Sequence, residues 1–152
     1  MILRIFKNNS LHKVDCIINL IDSKEASMSQ KFEIYKCSHC GNIVEVMHGG
    51  GVALTCCGEK MCCMKENTIE AATEKHIPVL TKTANGYEVK VGEVEHPSEE
   101  DHYIEWIEIA LNDNRVVKKF INPGEQPAVQ CNPNAEIISV KAYCNLHGLW
   151  KA

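Results

Sequence analysis

Along the second half of the chain, apolar and polar positions alternate in short runs broken by turn-forming residues. This period of two predicts strands rather than helices. Runs 78–83 and 87–91 flank Asn85-Gly86, a pair that tolerates the positive φ values a two-residue hairpin turn requires. Runs 103–111 and 115–121 flank Asn112-Asp113-Asn114, and Asn122-Pro123-Gly124 ends the second of them. Run 136–143 is rich in β-branched residues and reads as a further strand. Several short strands at this spacing predict a β-sandwich over 66–152. One helical turn is expected at 67–74, with Asn67 as N-cap and Glu70 in the capping-box position. Residues 28–65 are short of periodicity and punctuated by glycine, and residues 1–27 are only weakly amphipathic with no turn chemistry. The fold class is therefore all-β, in three segments: 1–27, 28–65 and 66–152.

Composition adds one unusual feature. The chain has 152 residues, 45% of them hydrophobic but only 6% aromatic, and nine are cysteine. A small domain with few large side chains calls for a staple, and cysteine-dense chains are either secreted disulfide scaffolds or intracellular metal proteins. Arg4, Lys7, Lys13 and Lys24 interrupt the first segment, which lacks a sustained apolar stretch and a small-residue cleavage site. Nothing elsewhere approaches the length of a membrane span. With an odd cysteine count, reduced thiols in the cytoplasm are expected. The net charge of −4, without a basic stripe, argues against nucleic-acid binding. Partners are expected to be small molecules or other proteins.

Cys37-Ser38-His39-Cys40-Gly41 has the spacing of a metal knuckle, with Gly41 allowing the tight turn. Cys56-Cys57-Gly58 begins sixteen residues after Cys40 and completes four thiolates. Tetrahedral sulfur-four coordination suits structural zinc or a single iron. Side chains of adjacent cysteines diverge, so a distorted tetrahedron is expected. Cys62 and Cys63 are open to three readings: competition for the metal, a vicinal disulfide, or loop thiols, the last being preferred. His39 and His48 read as solvent-facing loop histidines, and Cys16 and Cys131 as small buried hydrophobes.

A second set of candidates is His76, His96, His102, Cys144 and His147. Singly, each histidine reads as a surface or satisfied loop residue. Together they fall at the ends of predicted strands, where the loops of a sandwich converge. Four imidazoles and one thiolate suit iron better than structural zinc, which takes four ligands. Five protein ligands leave one octahedral position open, where chemistry can occur. Lys75, beside His76, would attract a small anion there.

The runs 36–46, 48–51 and 56–59 resemble the desulforedoxin-like domain of the desulfoferrodoxin family. Glu74-Lys75-His76-Ile77-Pro78, His96-Pro97, the run 102–108 and Tyr143-Cys144-Asn145-Leu146-His147-Gly148-Leu149-Trp150 resemble that family's superoxide reductase domain, which is shared with neelaredoxin. The resemblance runs from about Met28 to Ala152. It implies a small rubredoxin/desulforedoxin-like metal domain followed by an immunoglobulin-like β-sandwich, assembled as a homodimer. It implies two iron ions per chain, one held by Cys37, Cys40, Cys56 and Cys57 as an electron relay. The other would be held by His76, His96, His102 and His147 in its equatorial plane and by axial Cys144. The implied activity is one-electron reduction of superoxide to hydrogen peroxide without release of oxygen, fed by rubredoxin or a similar donor. Lys75 would guide the anion and assist protonation, and Glu74 would fill the vacant position in the oxidised resting enzyme. Cys62-Cys63 has no place in the family's ligand pattern. Met28-Ser29-Gln30-Lys31-Phe32 resembles a family start, so residues 1–27 are either the product of an upstream misassigned start codon or an extension peculiar to this chain. The alternatives are a two-iron electron-transfer protein without superoxide turnover and, more distantly, a zinc-stapled interaction module.

Overall fold

The computed structural model describes residues 28–67, 73–132 and 134–152, and the chain divides into two compact units, one ending at Met64 and one spanning Lys65–Ala152. The readings placed on residues 1–27, Cys16 among them, and on Glu70 lie outside the described residues.

In the first unit, β1 (Ile34–Lys36) lies between β2 (Ile43–Glu45) and β5 (Cys62–Cys63), both antiparallel to it. A separate hairpin joins β3 (Thr55–Cys56) to β4 (Glu59–Lys60). Among the described residues, Ile34, Tyr35 and Val46 are the buried apolar side chains beside Cys37. Cys62 and Cys63 are not loop thiols: Lys36 and Tyr35 pair with them across β1 and β5. The sequence hid this strand because it is only two residues long and shows no alternation. Cys63 takes part in no disulfide, which excludes a vicinal disulfide with Cys62.

The second unit is a sandwich of two antiparallel sheets. One has the order β10 (Ala128–Cys131), β7 (Gly86–Val91), β6 (Pro78–Thr83). The other has the order β12 (Gly148–Lys151), β11 (Ile137–Cys144), β8 (Ile104–Leu111), β9 (Val116–Phe120). Alternation sends Val140, Ala142 and Cys144 of β11 into the same core as Val89 and Val91 of β7, Ile107 and Ile109 of β8, and Trp150 of β12. The β8–β11 register shifts between Tyr143 and Cys144, so that Cys144 pairs with Ile104 rather than with charged Glu105. Such irregularities re-aim side chains near sites, and here the shift puts an apolar partner against the buried cysteine.

In this unit two strands escaped the sequence pattern, β10 and β12, each four residues long and too short for a periodic signal. The last strand is therefore β12, and Cys144 to Gly148 is the hairpin turn leading into it. The single described helix, α1 (Thr73–His76), is one turn. Asn67 is no N-cap: its φ is 57°, whereas a cap takes extended dihedrals. Its side chain instead accepts from the Lys151 N–H (2.8 Å) and donates to the Lys151 carbonyl (3.0 Å), serving as a short edge partner for β12. Among the described residues no helix is long and apolar enough to cross a membrane.

Candidate metal centres

In the first unit, the knuckle is closed by a Gly41 N–H donating to the Cys37 carbonyl (3.1 Å) and a Cys37 N–H donating to the Asn42 carbonyl (2.8 Å). Gly41 has φ 79°, which glycine adopts without steric cost. The second cysteine pair straddles the β3–β4 turn, whose two central residues, Cys57 and Gly58, have φ 53° and 82°. A two-residue hairpin turn with both φ values positive matches the twist of its strands. It also answers the expectation that neighbouring cysteines splay apart, because the left-handed Cys57 swings its sulfur back beside that of Cys56. The Sγ atoms of Cys37, Cys40, Cys56 and Cys57 all lie within 4.8 Å of one another. Cys40 and Cys56 are separated by 3.6 Å, and Cys56 and Cys57 by 3.9 Å. A tetrahedral metal about 2.3 Å from each sulfur sets its edges near ~3.8 Å, so this group fits a single ion.

Backbone N–H groups of Cys40 and His39 point at the Cys37 sulfur and lower its pKa to about 6. One thiolate of the set is thus favoured before any cation arrives. His39 faces outward to Glu59 at 2.9 Å and takes no part in the group. The four-thiol set is complete without Cys62 and Cys63.

The second unit gathers the histidines at one end of the sandwich. His76 ends α1 immediately before β6, His96 follows the turn after β7, His102 precedes β8, and Cys144 with His147 spans the β11–β12 turn. The four imidazoles form a square. Ring centroids of the pairs His76–His96, His96–His102, His102–His147 and His147–His76 are each 4.7 Å apart, with planes between 74° and 86°. Across the square, His76 and His102 are 6.1 Å apart and within 25° of parallel.

Each ring's inward atom can be assigned. The His96 Nδ1 lies 2.6 Å from the Pro97 carbonyl, a contact that puts the proton on Nδ1 and leaves Nε2 as a bare lone pair. That Nε2, like His102 Nε2, is buried without a hydrogen-bond partner among the described residues. His147 Nδ1 lies 2.9 Å from His76 Nε2 and 3.7 Å from Cys144 Sγ. Two nitrogens in adjacent positions around a metal at about 2.1 Å stand roughly 3.0 Å apart. The orphaned imidazole nitrogens and the 2.9 Å spacing therefore fit one cation held in the square. His76, His102, Cys144 and His147 form the tightest group, and His96 completes the square from just outside it.

The electrostatics suit a cation. Burial, reinforced by the neighbouring rings, lowers His96 to about 4 and also lowers His147, so both are neutral ligands near neutrality. Burial raises the Cys144 thiol, opposed by the His147 and Leu146 backbone N–H groups directed at its sulfur. Trp150, fully buried, stacks on His76 at 4.7 Å and 23° and fixes that ring's plane. Lys75 is half-buried and Glu74 exposed on α1, and neither side chain makes a hydrogen bond or ion pair among the described residues.

Two residues were not marked by the sequence pattern. Trp150 lies opposite Ala142 on β12, so its inward position depends on a strand too short to recognise. Asn145 accepts the Tyr103 N–H on its Oδ1 at 3.0 Å, a contact between the β11–β12 turn and the loop before β8.

Comparison with known proteins places these features together. The family model Desulfoferrodoxin matches residues 68–152, and that of the Desulfoferrodoxin N-terminal domain matches residues 29–64. A desulfoferrodoxin of Nitratidesulfovibrio vulgaris is 56% identical over 125 residues, covering 82% of this chain and 98% of that protein. A desulfoferrodoxin homolog of Archaeoglobus fulgidus is 46% identical over 125 residues, covering 82% and 99%. The crystal structure of the superoxide reductase from Treponema pallidum aligns with a TM-score of 0.63 at 26% identity, covering 79% of this chain and 97% of that one.

Proposed function

The chain belongs to the desulfoferrodoxin family, and from that premise we propose that it is a superoxide reductase, an oxidoreductase that converts superoxide, one electron and two protons into hydrogen peroxide. The observation that carries this reading is the square of four inward-facing imidazoles with the buried Cys144 sulfur beside it. The two ligand sets correspond to the two iron sites of the family, Cys37, Cys40, Cys56 and Cys57 for one and His76, His96, His102, His147 and Cys144 for the other.

When bound, iron at the histidine centre supplies the single electron that superoxide accepts. The chain's own residues do the rest. Neutral imidazoles add no charge, so the centre keeps the cation's attraction for an anion. Cys144, ionised by a bound cation and steadied by two backbone N–H donors, adds electron density that favours release of a reduced product. Five protein donors would hold the ion, with room for a small ligand beside them. Lys75 brings a positive charge next to His76 that cannot ligate while protonated, and we assign it to guiding the anion and assisting its protonation. Glu74, beside Lys75, would offer its carboxylate to the held ion in the oxidised resting enzyme. The four-thiolate site is the relay, supplied by rubredoxin or a similar carrier, and we propose a homodimeric, cytoplasmic enzyme.

The test is to mix superoxide with reduced, iron-loaded protein and follow peroxide and oxygen together. One peroxide for each superoxide with no oxygen is expected. Oxygen released alongside peroxide would mean dismutation, and absence of reaction would reduce the protein to an electron carrier. Either outcome sinks the proposal.

A further inference from the structure

We propose that Asn145 is a positioning residue that locks the loop carrying His102 onto the turn carrying Cys144 and His147. The inference rests on the reading that the histidine–thiolate cluster is the metal centre.

Asn145 directly follows Cys144, and Tyr103 directly follows His102. The β8–β11 ladder ends at the pair Ile104–Cys144, one residue short of both. At the next rung the Asn145 N–H donates to the Tyr103 carbonyl at 3.1 Å. In a regular ladder the Asn145 carbonyl would accept the return bond from the Tyr103 N–H, but the chain turns away here to bring His147 round. The side chain replaces it: Asn145 Oδ1 accepts the Tyr103 N–H at 3.0 Å. The other half of the amide donates from Nδ2 to the Glu100 carbonyl at 3.4 Å. One residue thus engages both backbone groups of Tyr103 and pins the far side of the tight Glu99–His102 turn, which closes on itself through bonds of 3.1 and 3.0 Å.

That loop needs an external hold. Ser98, Glu99, Glu100 and Asp101 offer it no apolar anchor, yet His102 must keep 4.7 Å from both His96 and His147. A site tolerates only about 0.5 Å of drift in its ligands. The chemistry of the position is specific to asparagine. Aspartate keeps the acceptor but has no donor for Glu100, and alanine keeps only the main-chain bond.

The experiment uses the full chain with Asn145→Ala and Asn145→Asp, stripped of metal and titrated with cobalt(II) alone. Affinity of the histidine site and the position of its thiolate-to-metal charge-transfer band are read, with absorption of the four-thiolate site as the internal control. Asn145→Ala should weaken the histidine site by about 10- to 100-fold, as loss of an outer hydrogen-bonding partner does, and should shift its band. Asn145→Asp should retain most of the affinity through the Tyr103 bond, and the four-thiolate site should be unaltered in both. Wild-type affinity and band in Asn145→Ala would overturn the proposal. So would equal losses in the two variants, which would place the effect in folding. Peroxide production by the wild-type chain is scored separately: its absence refutes the function while the affinities still decide the clamp, and a wild-type histidine site that takes no cobalt overturns both.

Discussion

Replacing Gly92 by alanine should disturb the histidine centre from a distance. Gly92 has φ 83°, and a Cβ built there would lie 2.5 Å from the Val94 carbonyl oxygen, 2.6 Å from the Lys75 carbonyl oxygen and 2.8 Å from the Lys75 carbonyl carbon. All three are backbone atoms, so no side chain can swing aside. The Gly92 N–H donates to the Ile77 carbonyl and the Val94 N–H to the Glu74 carbonyl, each at 3.0 Å. These bonds press the turn leading to His96 against the segment bearing Glu74, Lys75 and His76. A left-handed φ costs an alanine about 1 kcal/mol, and forcing a methyl group into packed backbone adds roughly 1–3 kcal/mol. The sum is ~2–4 kcal/mol, or a fall of at least about 8 °C in melting temperature for a domain of this size. Gly124 supplies the control, since its φ is 85° but a Cβ there meets nothing within 4 Å. Gly124→Ala should therefore show the conformational cost alone. The assay is thermal unfolding of both variants, followed by metal titration of the histidine site. Equal destabilisation of the two, or an undisturbed histidine site in a destabilised Gly92→Ala, would refute the docking role.

Three further outcomes are expected. Lys75→Ala should slow the reaction with superoxide by about tenfold or more at low salt, with iron content preserved and the difference shrinking as salt rises; an unchanged rate would remove Lys75 from the mechanism. Cys56→Ser should abolish metal binding at the four-thiolate site, while reduced protein still converts one equivalent of superoxide in a single turnover; loss of that turnover would contradict the relay assignment. Lys118→Met should cost about 3 kcal/mol in urea unfolding, because Glu108 is 4% exposed and its carboxylate sits 2.7 Å from the Lys118 ammonium across β8 and β9. Unchanged stability would show that Glu108 does not depend on that charge.

The sequence exposed the features that are written locally. Asn85-Gly86 marked its hairpin because a turn of two residues demands particular φ values, and C-x-x-C marked a chelate because two thiolates one turn apart face the same way. Structure that depends on partners was not legible. β5 exists because β1 lies beside it, and β12 because β11 does. The left-handed Cys57 is a demand of its hairpin that no cysteine pattern announces. His76 and His147 are 71 positions apart in the chain and 2.9 Å apart in space, a juxtaposition made by strand order alone. Their place at the ends of predicted strands suggested one cluster in advance, and resemblance to a family named them as ligands of one ion.

That difference in encoding carries over into how each site can fail. The four-thiolate group is built from two short turns, so its sensitive positions are its own cysteines and the glycines beside them. The histidine centre draws its donors from the segment before β6, the turn after β7, the loop before β8 and the β11–β12 turn. Its geometry is therefore the sum of how those pieces are docked. Gly92 fixes the first against the second, Asn145 the third against the fourth, and Trp150 the plane of His76. None of the three offers a donor atom pointed into the square. Substitutions that spare every ligand should consequently damage the histidine centre far more readily than the cysteine one.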